Sequence, residues 1–261
     1  MLTRTEGFQL IAEVSPPELP NKEHLRLKGK WSNVLLTDNV FGKIRISPYA
    51  YSARFTHDLP QISPTVVVST RDRNILAIES EVRGALGNGV TSFLVVTGDT
   101  MPQVDHMANH YETVRHLRDL QEKLPALEIG MATRFASWMK QRRIEAGAQF
   151  FCVGPVVDPA TVAENVAKLD LKPTDPPVFL MVIPPFSLNW IEQMEDIGAV
   201  PGTDELKERL RDTNPEDRRA IGWEAVREIN KAAEAAGCAG TVLMGLKFET
   251  LTEEAPNTLH T

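Results

Sequence analysis

The chain reads as an α/β protein folded as a single (β/α)8 barrel of the TIM type. Three observations predict it. Eight short apolar runs rich in β-branched residues recur along the chain, and most are joined by stretches with helical spacing. The runs are near-continuous rather than alternating, which suits parallel strands covered on both faces. The length, 261 residues, is what one such barrel of roughly 250 residues uses. An open doubly wound sheet fits these runs less well. No linker or internal repeat divides the chain, so 1–261 is read as a single domain with 250–261 as a frayed tail.

The elements follow in order. Residues 8–14 (FQLIAEV) form the first strand. A proline-rich link and the polar stretch 18–30 come next, with little room for a full helix. Residues 33–37 (NVLLT) form the second strand, and 47–57 a helix with Ser47 as cap and Pro48 in its first turn. The third strand is 65–69 (TVVVS). In 74–87, Ile75, Ile78, Val82 and Leu86 recur at helical spacing, and Gly87 and Gly89 end the helix. Residues 92–96 (SFLVV) are the fourth strand, 106–123 a polar amphipathic helix and 128–131 the fifth strand. A helix over 135–146, a sixth strand over 149–153 (QFFCV), a helix over 159–169 and a seventh strand over 178–182 (VFLMV) follow. Beyond Pro184 and Pro185 a long helical region, 189–236, is broken near Gly202 and Asn214, and 241–244 (TVLM) is the eighth strand.

Composition narrows the function. Apolar residues make up 42%, enough for a sizeable core. The net charge of −7 argues against nucleic acid or an anionic membrane surface as the main partner, but leaves room for a small anionic ligand on a local basic patch. The two cysteines, Cys152 and Cys238, sit in or beside apolar runs and read as buried, reduced thiols. No basic stretch precedes an apolar signal segment and no apolar run approaches the ~18 residues of a membrane span, so a cytoplasmic location is the default.

In a parallel barrel, polar groups at the C-terminal strand ends gather at one mouth, where active sites form. Glu13 ends the first strand, ahead of Val-Ser-Pro-Pro. A carboxyl there can be partly desolvated, which raises its pKa toward that of a useful general acid; a solvated strand-end carboxylate is the plain alternative. Asp99, in Thr97-Gly98-Asp99, ends the fourth strand. Gly98 permits close approach of a ligand, and the Asp99 carboxylate can accept paired N–H groups of a heterocycle, though Gly-Asp is also common turn chemistry. Thr37-Asp38-Asn39 ends the second strand; in Arg71-Asp72-Arg73-Asn74, after the third, Asp72 or Asn74 suits a helix cap. Gly84, Gly87 and Gly89 do not follow a strand, so they form no dinucleotide fingerprint. His106 and His110 have metal-like spacing without a third ligand, and read as a solvated face. The run 205–211 also reads as a solvated helix face, and Tyr49, Tyr51 and Phe55 as core packing.

At residues 36–99 the sequence resembles the methylenetetrahydrofolate reductase family. The resemblance is carried by LLTDN, STRDRNILAIESEVRGALGNGVTSFLVVTGD, EAGAQFFCVGPVVD and AAGCAGTVLMGLKFE, in family order, with AEVSPP matching a Glu-x-x-Pro-Pro at the end of strand 1. It implies a (β/α)8 barrel that binds a folate at the C-terminal mouth. Glu13 then resembles the acid that assists opening of the methylene bridge, and Asp99 the carboxylate that contacts the pterin. Thr37 and Asp72 match further positions around the flavin and pterin pocket, Thr97 and Gly98 lie on the cofactor side, and Arg142 and Arg143 match a basic pair that can meet phosphate. That pair also suits a plain helical surface.

The departures concern the flavin. Val67 stands where the family often carries His or Gln, Gly154 replaces an expected glutamine, and the loop after strand 5 is short and lacks its Tyr and His. These count against a bound FAD. The leading expectation is reduction of 5,10-methylenetetrahydrofolate to 5-methyltetrahydrofolate with NAD(P)H, by a route that need not involve flavin. The alternatives are a tetrahydrofolate-dependent methyltransferase working with a corrinoid protein, and a non-catalytic folate-binding subunit. Expected partners are the folate itself and, beyond it, a second copy of the chain or a corrinoid protein.

Overall fold

In the computed structural model, which describes residues 7–99, 108–196, 200, 203–211 and 213–259, eight parallel strands close into a barrel in chain order. The strands are β1 (Gln9–Val14), β2 (Asn33–Leu36), β3 (Ser63–Ser69), β4 (Ser92–Val96), β5 (Glu128–Thr133), β6 (Phe150–Val156), β7 (Val178–Val182) and β8 (Gly240–Leu243). The helices are α1 (Pro48–Asp58), α2 (Ile75–Gly87), α3 (His110–Gln121), α4 (Ser137–Ala146), α5 (Val162–Ala167), α6 (Leu188–Asp196), α7 (Asp204–Arg211), α8 (Pro215–Ala235) and α9 (Ala255–Leu259). The (β/α)8 fold expected from the apolar runs is the observed one.

Side-chain parity sorts the strands into two cores. Ile11, Leu35, Val67, Leu94, Phe150, Cys152, Phe179 and Val242 pack together inside the barrel. Their neighbours along each strand, such as Ala12, Leu36, Val68, Val95 and Leu180, pack outward under the helices. Because both faces are buried, the strands are largely apolar, which is why the runs were visible in the sequence. Gly130 faces inward opposite Phe150, and a Cβ there would collide with that ring. The missing side chain makes room for Phe150 to meet Phe179 edge to face, with centroids 6.2 Å apart.

The helix ends largely follow their caps. Asn74, Asn109 and Asn214 accept backbone N–H groups at the starts of α2, α3 and α8. Ser47 occupies the cap position of α1, but its side chain makes no capping bond, and Pro48 in the first turn supplies the start signal. The expected break near Gly202 lies outside the described residues.

Two segments differ from a minimal barrel. Between β7 and α8 the chain inserts α6 and α7, which pack Ile191, Met194, Leu206 and Leu210 against Val157 and Ile183 to form a small third core. Glu195 clasps the pair, 2.6 Å from Lys207 and bonded to Thr203. A frayed tail was expected over 250–261; within its described part, Thr250–Glu254 is a π-helical turn that runs into α9, and Leu251 and Ala255 are buried. The Trp31 indole donates to Leu251 O at 2.9 Å, and Arg219 pairs with Glu254. An apolar face of a few side chains, satisfied by distant partners, leaves little periodic signal in so short a stretch.

Candidate functional site

Glu13 is the inward residue after Ile11 on β1, so the strand carries it from the apolar interior to the mouth. It is partly buried, and Gly245, just past β8, donates its N–H to Oε1 at 3.2 Å. Burial raises the Glu13 pKa from 4.5 to about 7; the Gly245 bond opposes this and the charge of Asp99 adds to it. One strand repeat further on, Ser15 Oγ lies 2.9 Å from Thr37 Oγ1, which joins the ends of β1 and β2. The nearby Cys152 thiol is pushed up to about 12, chiefly by burial and further by the Glu13 charge. It is therefore no nucleophile.

Asp99 stands at the end of β4 behind Gly98, whose φ of +83° lies in the left-handed region. A Cβ on Gly98 would collide with the Ser69 hydroxyl and lie 3.1 Å from Arg71 Cβ. The glycine is thus required both by conformation and by close approach. Asp99 Oδ2 accepts the Phe41 N–H at 2.6 Å, while its side chain remains 43% exposed. Arg71 donates to Asp99 O and to Asn39 O, both at 3.0 Å, and so clamps the loops after β2 and β4 together. Asn39 and Phe41 take positive φ values of 48° and 54°. For Phe41 this is strained backbone, held where its N–H meets Asp99 and where its ring is 47% exposed.

Beneath this loop lies a buried ion pair. Asp38 receives Arg73 Nη1 at 2.5 Å and Nη2 at 3.3 Å, and Arg73 Nε stands 3.0 Å from Glu81. Burial works against the Arg73 charge, but Asp38 more than offsets it and raises its pKa. Arg73 also lies over the Tyr49 ring, 5.7 Å from its centroid.

The structure therefore brings Glu13, Thr37, Gly98 and Asp99 to one mouth. Thr97 and Asp72 are exposed, and Asp72 has a φ of +54°. Of the basic pair expected to meet phosphate, Arg143 is turned inward. That residue is buried between α3 and α4, donating to Ala132 O at 2.7 Å, Met139 O at 3.1 Å and Tyr111 Oη at 3.4 Å. Its partner Arg142 is exposed and lies over the Tyr111 ring at 4.9 Å. Among the described residues no group of three or more His, Cys, Asp or Glu could hold a metal, and His106 lies outside them. Residue-by-residue reading left Arg71 and Arg73 without roles; their alternation with Asp72 and Asn74 immediately after a strand was the available signal.

These positions form a carboxyl poised near neutrality beside an accessible carboxylate. The first can give up a proton at neutral pH, and the second can accept N–H donors.

No family model matches the sequence, and no curated protein matches it. Among solved structures, the chain is similar to a protein from Clostridium thermocellum described as binding two copies of 5-methyl-5,6,7,8-tetrahydrofolic acid. That likeness has a TM-score of 0.61 at 15% identity and covers 98% of this chain and 97% of that one. A 2,3-dimethylmalate lyase of the PEP mutase/isocitrate lyase superfamily has a TM-score of 0.57 at 10% identity, covering 93% of this chain and 77% of that one. An oxaloacetate acetylhydrolase has a TM-score of 0.55 at 11% identity, over 98% and 80%. At these identities the likeness establishes the barrel fold, in agreement with the strand order read from the chain.

Proposed function

We propose that the mouth binds a reduced folate and that Glu13 is its proton donor. The observation that carries this is the Glu13 carboxyl, held near a pKa of 7 by burial and set beside Asp99. The Clostridium thermocellum barrel, described as binding 5-methyl-5,6,7,8-tetrahydrofolic acid and similar over nearly its whole length, supports the ligand class. The exposed Asp99 carboxylate suits the paired N–H groups of a pterin ring, and the buried Thr37 is joined to Ser15 at the ends of the neighbouring strands.

The finer reading is reduction of 5,10-methylenetetrahydrofolate to 5-methyltetrahydrofolate. Glu13 donates its proton to one nitrogen of the methylene bridge as that C–N bond breaks. The lone pair of the other nitrogen then forms an iminium, whose carbon accepts a hydride and becomes the methyl group. NAD(P)H, when bound, would supply the hydride. A flavin fits this chain poorly: Arg143 is spent on Ala132, Met139 and Tyr111, and a Cβ on Gly154 would lie 2.9 Å from Met181 O, so the residue that replaces the expected glutamine leaves no room for a side chain. No step is assigned to FAD.

The test is turnover of 5,10-methylenetetrahydrofolate with NADH or NADPH by the wild type and by Glu13→Gln. Loss of a general acid should lower kcat about 10²-fold or more while folate affinity changes little. Equal turnover by the two proteins would remove the acid role and leave a folate-binding subunit. The poor fit to a flavin also favours a second reading, methyl transfer between a tetrahydrofolate and a corrinoid protein, which needs the same pocket and proton source. Folate-dependent oxidation of NAD(P)H without any corrinoid partner would exclude it.

A further inference from the structure

A groove of about 520 Å³ opens next to the mouth, on the side of β1 and β2. Pro16, Pro17 and Pro20 line it together with Tyr51, Phe248 and Arg45. Its volume is that of a small-molecule site, and its walls combine apolar rings with a guanidinium. Ser15 borders it as well, one strand repeat or about 7 Å beyond Glu13.

One segment of chain, residues 41–46, runs from the mouth to the groove. At one end of that segment, the Phe41 N–H rests on Asp99 at 2.6 Å. At the other, the Ile46 N–H donates to Pro17 O at 3.0 Å, which ties the segment to the proline wall. Between them, the Arg45 N–H donates to Asn39 Oδ1 at 2.8 Å, fixing the backbone from which the guanidinium extends. The far end is braced by Arg54, which donates to Asn21 O at 3.2 Å.

Two polar groups are available to a ligand there. Tyr51 is 2% exposed, packs edge-on to Phe55 at 5.6 Å and lines the groove. Burial pushes that phenol up to about 12, so it stays a donor at neutral pH. Among the described residues the Arg45 guanidinium pairs with Glu18, at 3.2 Å, and Glu18 is 71% exposed. Ion pairs of that kind contribute about 0–1 kcal/mol and exchange readily. Glu23, the other acid on the groove, is already engaged by Asn21 Nδ2 at 2.9 Å.

We infer that this groove holds the aminobenzoyl-glutamate end of the folate whose pterin occupies the mouth, with Arg45 exchanging Glu18 for a carboxylate of the ligand. The benzoyl ring lies among the prolines and Phe248, and the Tyr51 hydroxyl donates to the amide or carboxylate. The inference rests on the folate reading above and extends it to the part of the ligand farthest from the chemistry.

Calorimetric titration of the wild type, Arg45→Met and Glu18→Gln separates the two ideas. Each protein is titrated with 5-methyltetrahydrofolate and with 6-methyltetrahydropterin, which lacks the aminobenzoyl-glutamate end. Arg45→Met should weaken the folate about tenfold or more, as expected for losing a charge-assisted hydrogen bond. Glu18→Gln, which frees Arg45, should tighten it a few-fold, and neither change should alter pterin binding. Both substitutions are at surface positions, and circular dichroism verifies that the fold is kept. If all three proteins bind the folate equally, the groove assignment is overturned while the mouth assignment stands. If the wild type binds neither compound, the folate reading itself falls and the groove assignment with it.

Discussion

The proposed acid role of Glu13 and the stability of the fold meet in one pKa. Its folded value of about 7 exceeds the ordinary 4.5, so the folded state holds the proton more tightly than the unfolded chain does. The associated stability is fully present below pH 4.5 and is lost as pH rises through 7, a difference on the order of 3 kcal/mol. Glu13→Gln removes this titration. Its Tm should exceed that of the wild type at pH 8 by several degrees and match it near pH 4, by scanning calorimetry at both pH values. The same titration should make the wild-type kcat/KM fall above about pH 7. Arg73 is the converse case. Arg73→Met would leave the buried Asp38 carboxylate uncompensated and should cost about 3–5 kcal/mol in urea unfolding. Glu13 and Asp99 were legible as candidates because each is a carboxyl at or just past the C-terminal end of an apolar strand, which a parallel barrel places at its mouth. The pairing of Asp38 with Arg73, 35 positions apart, was not, because it depends on how adjacent loops fold over the barrel rim.

The elements differ in how much of themselves they announce. Strands buried on both faces appear as continuous apolar runs, and β4 and β7 have the bounds read from sequence. The C-terminal segment was misread because what holds it lies elsewhere in the chain, in Trp31, Arg26 and Arg219. If those contacts hold it as observed, Leu251→Ala should cost about 2–5 kcal/mol, measured by urea denaturation; a frayed tail would give no change. Within the barrel, Gly130→Ala would press a methyl group into the Phe150 ring and should cost about 1–3 kcal/mol by the same measurement. Arg143 read as half of a basic surface pair, yet α4 turns it inward to satisfy Ala132 O and Met139 O. Two adjacent arginines on a helix point in directions about 100° apart, so only the packing of α3 beside α4 decides which is buried.

At the scale of the whole molecule, both thiols are sealed by the fold. Cys152 lies inside the barrel and Cys238 at the base of β8, each pushed up to about 12 by burial. A thiol reagent should therefore titrate neither in the native protein and both in guanidinium, and the rate of the reaction reports global opening. Ligand linkage acts on the same equilibrium: 5-methyltetrahydrofolate at a hundred times its Kd should add about 2.7 kcal/mol and raise the Tm. No helix among the described residues is long and apolar enough to cross a membrane. By itself the sequence determined the eight strands, their order and the polar residues at their ends, because burial on both faces and strand-end position are local properties of the chain. Only the tertiary structure decided which of those ends come together, that Glu13 is desolvated while Asp99 stays accessible, and that Arg143 turns inward to bond Ala132, Met139 and Tyr111. Those outcomes depend on distances between residues far apart in the chain, and closure of the barrel sets them.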